Sequence, residues 1–207
     1  MSANQPIIHV VDDDPSFCTA VTRLLRAAKY EVRGYRSAAA FLDSDACADP
    51  GCILLDLRMP GVNGLDLQQS LAQMEGRLPI IFLSGHGDVP TSVRAMKAGA
   101  LDFLTKPVER ATLLRAVQNA LEVDAAETKS RAILRELRRS YETLTARERE
   151  VLAHVVSGKL NKQIAFALGT SERTIKAHRA RITEKLAIRS VAELVRIAQS
   201  LGIEPIR

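Results

Sequence analysis

A short apolar run that ends in an aspartate constrains the fold of this chain more than any other feature. Residues 51–64 read GCILLDLRMPGVNG, in which residues 52–55 are apolar and Asp56 follows them directly. Such a run is typical of a strand buried on both faces of a parallel sheet, and the Pro and Gly residues after it indicate a loop. Ligands of open α/β sheets bind just beyond the carboxyl ends of the strands. Asp56 is therefore either a turn residue or a reactive carboxylate in a binding site.

The first part of the chain alternates between strand and helix patterns. Five strands that alternate with five helices through short loops predict a doubly wound parallel sheet, which is an α/β fold. The predicted strands span residues 7–11, 31–35, 52–56, 79–84 and 101–105, and the predicted helices span residues 15–28, 37–43, 65–74, 89–98 and 109–121.

The second part of the chain has helix patterns only. Residues 124–141 are a charged helical stretch whose apolar positions from Leu134 to Leu144 cover about two heptads, too few to predict a coiled coil. Thr145 is a predicted N-cap, and Glu148 completes its capping box. Four helices are predicted over residues 146–157, 161–168, 171–186 and 190–201. The predicted organisation is a domain of residues 1–123, a helical linker of residues 124–143 and an all-α domain of residues 144–207.

The charges differ between the two parts. Residues 1–123 carry 12 Lys and Arg against 14 Asp and Glu, a balance of −2, and residues 124–207 carry 17 against 10, a balance of +7. Nucleic acid is the usual partner of a basic domain, although a solvated charged surface gives the same bias. No apolar run is long enough for a membrane span, and the N-terminus lacks the pattern of a secretory signal. Three cysteines without metal-ligand spacing indicate a reduced, cytoplasmic location.

Polar residues follow four of the predicted strands. Asp12 and Asp13 follow the first strand, Asp56 ends the third, Ser84 ends the fourth and Lys106 follows the fifth. Parallel strands end at one edge of the sheet, so these residues converge on one pocket. Its oxygen ligands favour Mg²⁺, and Lys106 adds a fixed positive charge for phosphate oxygens. The pattern predicts Asp56 as a nucleophile that accepts phosphate, with Ser84 donating a hydrogen bond to the product.

Each of these residues also has an ordinary structural interpretation. The run of aspartates can cap the helix that follows, and Asp14 is the best N-cap among them. Their occurrence together, in order and each at a strand end, favours the functional interpretation. His9 and His86 are weaker candidates for phosphoryl carriers, and neither is assigned to a metal because paired cysteine or histidine spacing is absent. His9 is expected to be a packed residue of a strand, and His86 a solvent-facing residue of a loop.

Residues 5–122 resemble the receiver domain of two-component response regulators through VVDDD, LLDLRMPGVNG and LSGHGDVPTSVRAMKAGALDFLTKP, and the last block is most similar to the FixJ branch. The resemblance implies a flavodoxin-like β5α5 fold and a histidine kinase that phosphorylates Asp56. It implies a phosphoacceptor that catalyses its own phosphoryl uptake and slow hydrolysis, not a turnover enzyme. The further implied assignments are Asp12, Asp13, Asp56 and the Arg58 backbone carbonyl around Mg²⁺, Ser84 and Phe103 as the switch pair, and Lys106, before a cis Pro107, as the counter-charge for phosphate.

The second and third helices of the basic domain have helix-turn-helix spacing. Ser171 can cap the second of this pair, and Ile175, Ile182 and Leu186 form its buried stripe, which leaves basic side chains on its other faces. Such a helix fits the major groove of DNA. The structural alternative is a four-helix domain with an ordinary charged surface.

This segment resembles the LuxR-type helix-turn-helix domain through LTAREREVL, GKLNKQIA and SERTIKAH, which implies double-stranded DNA as its partner. Ala177 and Ala180 offer only methyl groups, so base readout rests on Lys176, Arg181 and DNA shape. The implied contacts are Asn161, Lys162, Thr174 and Arg179 with phosphates, and Lys176, Ala177, Ala180 and Arg181 with bases, and Lys185 is a further basic candidate.

Together these patterns predict a transcription regulator that is switched by phosphorylation. We expect the phosphoryl group to draw Ser84 inward, Phe103 to follow and the face of residues 89–103 to be remodelled into a homodimer surface. The linker then transmits the change, and the dimer activates a promoter, with RNA polymerase as a further candidate partner and no membrane involved.

Three other classes of protein stay open from the sequence. A phosphohydrolase could use the same carboxylates, although it usually needs a second acid two residues after the nucleophile, where this chain has Arg58. The first domain could be an interaction module that is never phosphorylated. An RNA-binding output would need stacking aromatic residues, and the basic half has only Tyr141 and Phe166.

Overall fold

The computed structural model describes residues 5–44, 49–74, 78–85, 89–188 and 190–203. Its first part is a parallel sheet of five strands in the order β2-β1-β3-β4-β5 with helices between them, which confirms the predicted flavodoxin-like fold. The strands are β1 (Ile7–Val11), β2 (Glu31–Tyr35), β3 (Gly51–Asp56), β4 (Ile80–Ser84) and β5 (Asp102–Thr105), and the helices are α1 (Pro15–Ala27), α2 (Ala38–Leu42), α3 (Gly64–Ala72), α4 (Val89–Lys97) and α5 (Arg110–Glu142).

Burial on both faces of the sheet explains the apolar run before Asp56. One core cluster joins β3 to α2 and α3 through residues such as Ile53, Phe41 and Leu67, and the other joins β3 to α1 and α5 through residues such as Leu54 and Leu25. Each face of the central strand therefore needs apolar side chains, and the usual alternation of a half-exposed strand is absent. The two cores hold β3 rigidly up to its carboxyl end.

The most substantial difference from the sequence expectation concerns α5. A helix over residues 109–121 and a separate helical stretch over residues 124–141 were predicted, and the structure has one helix of 33 residues. Residues 121–124 contain no Pro or Gly that would end a helix. Asp124, the first residue of the predicted helical linker, is buried against the sheet. The chain divides into two compact units at Thr128 and Lys129, within α5.

The second unit contains four further helices in the described residues. Its core includes Val151, Ile164, Ile175 and Ile182, and the last two belong to the predicted buried stripe. The predicted capping box at Thr145 is present, and Ser171 caps the helix that follows it. The described residues include no helix that has the length and apolar character needed to cross a membrane. The helices are α6 (Ala146–Val156), α7 (Asn161–Ala167), α8 (Glu172–Lys185) and α9 (Val191–Ser200).

Candidate functional site

The register of the sheet brings the predicted strand-end residues to one edge. Val11 lies opposite Leu55, so the residues that follow them, Asp12 and Asp56, are neighbours. On the other side of β3, Ser84 ends β4 next to the end of β5. Asp12, Asp56 and Ser84 are buried, with 1%, 7% and 1% of their surfaces exposed, whereas Asp13 is exposed. The pocket is thus lined by buried polar groups and is open to solvent at Asp13.

Lys106 joins two of the carboxylates. Its Nζ lies 2.6 Å from Asp12 Oδ2 and 2.8 Å from Asp56 Oδ1. The backbone N–H of Lys106 donates to the carbonyl oxygen of Ser84, and the bond from Lys106 to Pro107 is cis, as the resemblance implied. The Nζ also lies 4.1 Å from the ring centre of Phe17. Phe17 was missed from the sequence, because an apolar residue in the first turn of α1 looks like any core residue.

Backbone amides orient the remaining carboxylate oxygens of the pocket. The N–H of Asp14 donates to Asp12 Oδ1 over 3.0 Å, and the N–H of Arg58 donates to Asp56 Oδ2 over 3.1 Å. Asp14 itself caps α1 by accepting from Ser16 and Phe17, as expected from the sequence. Asp14 therefore stabilises the helix, whereas Asp12 and Asp56 face the pocket.

The electrostatics of the pocket favour a charged Lys106 and disfavour charge on Asp12. Burial raises the pKa of Asp12, and the hydrogen bond from Lys106 offsets this only in part. Burial also disfavours charge on Lys106, but its hydrogen bonds to Asp12 and Asp56 outweigh that effect and raise its pKa. One positive charge therefore faces Asp12, Asp56 and the nearby Asp13, and the pocket retains an excess of negative charge.

Three carboxylates of the pocket could hold a metal ion. One oxygen from each of Asp12, Asp13 and Asp56 lies within 4.8 Å of the others. A set of hard oxygen donors with one open, solvent-facing side fits Mg²⁺, which keeps several of its waters. The Arg58 carbonyl stays a predicted fourth contact, since the structure defines only the hydrogen bond of its amide.

The remaining candidates of the first unit are Phe103, a predicted switch residue, and the histidines His9 and His86. Phe103 is half-buried beside Phe82, at 6.1 Å between ring centres, and its switch role with Ser84 stays a prediction. His9 is fully buried and contacts Tyr35, so its interpretation as a packed residue is confirmed. Burial lowers the pKa of His9 to about 4, which keeps the ring neutral. His86 lies outside the described residues.

The helix-turn-helix of the second unit presents most of its predicted DNA contacts to solvent. The exposed ones are Lys162, Thr174, Lys176, Ala177, Ala180 and Arg181, while Ile175 and Ile182 face the core. Arg179 Nη1 donates to Asn161 Oδ1 over 2.8 Å, which links the start of α7 to the middle of α8. These two predicted phosphate contacts therefore hold each other in place.

Lys185 has a different position from the other predicted DNA contacts. Its Nζ lies 2.7 Å from Glu148 Oε2 and donates to the carbonyl oxygen of Thr143. Glu148 is 2% exposed and also accepts from the backbone N–H of Thr145. This ammonium group already stabilises the domain from within, so we leave Lys185 out of the proposed DNA surface. The sequence showed a basic residue at this position but could not show its partner 37 residues away.

Comparison with protein families assigns both units. Residues 8–118 match the response regulator receiver domain, and residues 142–198 match the family described as bacterial regulatory proteins, luxR family. The receiver match contains every predicted residue of the pocket, and the luxR match contains every predicted DNA contact. The two matches leave residues 119–141 between them, which belong to α5.

Whole proteins of the same organisation match nearly the full chain. Response regulator protein TmoT of Ectopseudomonas mendocina is 43% identical over 97% of this chain and 91% of that protein. Transcriptional regulatory protein FixJ of Azorhizobium caulinodans is 40% identical over 96% of this chain and 94% of that protein. The solved structure of response regulator StyR superposes with a TM-score of 0.83 at 42% identity, covering 94% of this chain and 98% of that one. The chain belongs to the two-component response regulators that join a receiver domain to a LuxR-type DNA-binding domain and regulate transcription.

Proposed function

We propose that a histidine kinase phosphorylates Asp56 in a Mg²⁺-dependent reaction, and that the phosphorylated chain dimerises and activates transcription from a bound promoter. The observation that carries the proposal is the position of Lys106, between Asp12 and Asp56 and within 2.8 Å of both. Two buried carboxylates that share one half-buried lysine are unfavourable for stability alone. Such an arrangement is useful where a further anion has to be accepted beside Asp56.

The residues of the pocket can each take a defined part in phosphoryl transfer. An Asp56 carboxylate oxygen attacks phosphorus, a new O–P bond forms, and the N–P bond of a phosphohistidine breaks with its electron pair left on nitrogen. Lys106 shifts its hydrogen bond from Asp56 to a phosphoryl oxygen, and Ser84 donates to another. Bound at Asp12, Asp13 and Asp56, Mg²⁺ supplies charge neutralisation for the carboxylates and the transferred group.

The α4 face supports the proposed homodimer. Val89, Val93 and Met96 lie at spacings of four and three on this helix, and 74%, 43% and 44% of their surfaces are exposed. Exposed apolar side chains on one stripe of a helix are typical of a surface that another protein covers. Phosphorylation biases this face only through interactions that differ between two states of the receiver, and we assign those to Ser84 and Phe103.

The basic unit supports DNA binding by the paired chains. The proposed contacts are Asn161 and Arg179 together with the exposed residues predicted from the sequence, which are Lys162, Thr174, Lys176, Ala177, Ala180 and Arg181. Two such units related by a two-fold axis fit two half-sites of a DNA duplex. RNA polymerase is the proposed recipient of the activating signal.

Intact-mass measurement tests the chemical step. The full chain is incubated with a small phosphodonor, with and without Mg²⁺, beside Asp56→Asn and Asp66→Asn, the second of which replaces an exposed aspartate of α3 outside the pocket. We expect a Mg²⁺-dependent phosphoryl adduct on the wild type and on Asp66→Asn and none on Asp56→Asn. An adduct that persists in Asp56→Asn would reject Asp56 as the acceptor. Continuous phosphate release from a phosphate monoester would instead support a phosphohydrolase.

A further inference from the structure

Asp124 is a buried carboxylate on α5, at the edge of the sheet opposite the phosphorylation pocket. It is 2% exposed, and its Oδ2 accepts a hydrogen bond of 2.9 Å from the backbone N–H of Gly51, a residue 73 positions earlier in the chain. Burying a carboxylate is unfavourable unless donors replace the lost water. The position of Asp124 is therefore fixed by a specific long-range contact.

Gly51 presents a rigid donor to this carboxylate. It is the first residue of β3, and an added Cβ would lie 1.8 Å from the carbonyl oxygen of Ile7 on the neighbouring strand. Only glycine allows so close an approach of the two backbones. The amide of Ile7 in turn donates to the carbonyl oxygen of Pro50. The N–H that Asp124 binds is thus held by the sheet itself.

Asp124 also marks the end of the buried stripe of α5. The buried residues of this helix are Leu113, the adjacent pair Ala116 and Val117, Ala120 and Asp124, so that each turn adds to one stripe. Residues 125–130 are exposed, and the helix continues without a break to Glu142. The buried stripe of α5 therefore ends in a carboxylate that is hydrogen-bonded to β3. An apolar residue at this position would complete the stripe as an ordinary core residue.

We propose that Asp124 is a positioning residue that fixes the last receiver-bound turn of α5 and is needed for phosphorylation to control DNA binding. The inference rests on the proposed function. β3 carries Asp56 at its carboxyl end and holds Asp124 at its amino end, about 17 Å away at a rise of about 3.3 Å per residue. The α5 helix can transmit a displacement within the receiver only if its receiver-bound end is fixed, because an end that moves freely takes up the displacement itself.

The test compares Asp124→Ala with Asp124→Asn in the full chain, using a DNA duplex that the wild type selects from a random pool. Asparagine keeps an oxygen that can accept from Gly51, and alanine does not. We expect both variants to take up phosphate like the wild type. We expect Asp124→Ala to lose most of the phosphorylation-dependent gain in DNA affinity and Asp124→Asn to retain it. An undiminished gain in Asp124→Ala would overturn the proposal.

Two controls separate positioning from general destabilisation. Ile80→Val weakens the core on the other face of the sheet, and Glu122→Ala removes an exposed acid from the same helix. Both are expected to keep the gain in affinity, even where Ile80→Val lowers Tm as much as Asp124→Ala does. Loss of the gain in Ile80→Val as well would mean that the effect is only one of stability, and would also overturn the proposal.

Hydrogen exchange supplies a local readout that activity does not. We expect faster exchange at Gly51 and at residues 121–128 in Asp124→Ala than in the wild type, and wild-type exchange in Glu122→Ala. Unchanged exchange in Asp124→Ala would reject the anchoring role. A wild type that takes up no phosphate would defeat the proposed function, whereas normal uptake with an undiminished gain in Asp124→Ala defeats only this inference.

Discussion

Two lysine–carboxylate clusters of this chain have similar distances and different charge balances. In the receiver, Lys106 lies between Asp12 and Asp56, with Asp13 beside them. In the DNA-binding unit, Lys185 has one carboxylate partner among the described residues, which is Glu148. The two lysine side chains are 18% and 32% exposed, so burial does not separate the clusters.

The distinguishing property is whether the charges are balanced. Glu148 has one lysine and a backbone amide at the start of α6, and its pKa is lowered, chiefly by the hydrogen bond from Lys185. Within the part of the chain that the structure describes, the receiver pocket has three carboxylates for one lysine, and burial raises the pKa of Asp12. A balanced cluster stabilises the fold, whereas an unbalanced one favours the binding of a cation.

The largest expected difference between the clusters is in phosphoryl uptake. Lys106→Met keeps most of the side-chain volume and removes the positive charge beside the incoming phosphate. We expect uptake to slow by about 10²–10³-fold, the usual cost of losing one preorganised electrostatic contact. The matched variant Lys185→Met is expected to take up phosphate at the wild-type rate. Time-resolved intact-mass spectra measure both, and equal rates in the two variants would remove the functional distinction.

Magnesium should stabilise one cluster and not the other. At a Mg²⁺ concentration of about 100 times its Kd, a single site adds about 2.7 kcal/mol to the free energy of unfolding of the receiver. We expect Asp13→Asn to lose this gain, because Asp13 is the proposed ligand on the open side of the pocket. Glu148→Gln should retain it in full. Denaturant unfolding with and without Mg²⁺ decides the matter, and a gain that survives in Asp13→Asn would exclude the assigned ligand set.

The DNA-binding unit should depend more on its own lysine for stability. Lys185→Met leaves the buried Glu148 without its counter-charge, which we expect to cost about 2 kcal/mol of unfolding free energy. Added Mg²⁺ should not restore this loss. Added Mg²⁺ should, however, restore any unfolding free energy that Lys106→Met loses, since the ion replaces the missing positive charge. The Tm of each variant is measured over a series of Mg²⁺ concentrations. The same change of Tm in both variants would contradict the comparison.

The smallest expected effects concern how acidification changes the stability of the fold. Glu148 and Asp12 are expected to contribute with opposite signs. In the folded state the pKa of Glu148 is below 4.5, so its ion pair stabilises the fold above about pH 4.5, and this stabilisation is lost as the pH falls through the folded pKa. The pKa of Asp12 is above 3.8, so its charge destabilises the folded state at neutral pH and the penalty disappears on acidification.

Two neutral variants isolate these contributions in Mg²⁺-free buffer. We expect Asp12→Asn to raise Tm at pH 7 and Glu148→Gln to lower it. Both differences from the wild type should shrink as the pH approaches 4. Calorimetric scans between pH 4 and pH 7 measure them, and a change of the same sign in both variants at pH 7 would contradict the assigned pKa shifts.

Local sequence patterns predict most of the receiver and its pocket. Buried strands, short loops and polar strand ends are encoded within a few residues of each other, so Asp12, Asp56, Ser84 and Lys106 could be assigned to one edge before any coordinates. The cap at Thr145 is equally local. The sheet topology then places these residues in one pocket, since parallel strands bring their carboxyl ends together.

The contacts that the sequence did not reveal join distant parts of the chain. Asp124 looks like the first residue of a polar linker, and only the fold brings it to Gly51. Lys185 looks like any basic residue of a recognition helix until α6 is packed against α8. A charged side chain has the same local pattern whether it faces solvent, DNA or a buried partner, and burial decides between these.

DNA affinity as a function of phosphorylation measures whether the receiver pocket controls the DNA-binding unit. The full chain is prepared in both states and titrated against the same selected duplex, with Asp56→Asn treated with the phosphodonor as the control. We expect tighter binding by the phosphorylated chain and no change in Asp56→Asn. Equal affinity of the two wild-type states, with the phosphoryl adduct verified by mass, would contradict the claim that the receiver pocket controls the DNA-binding unit.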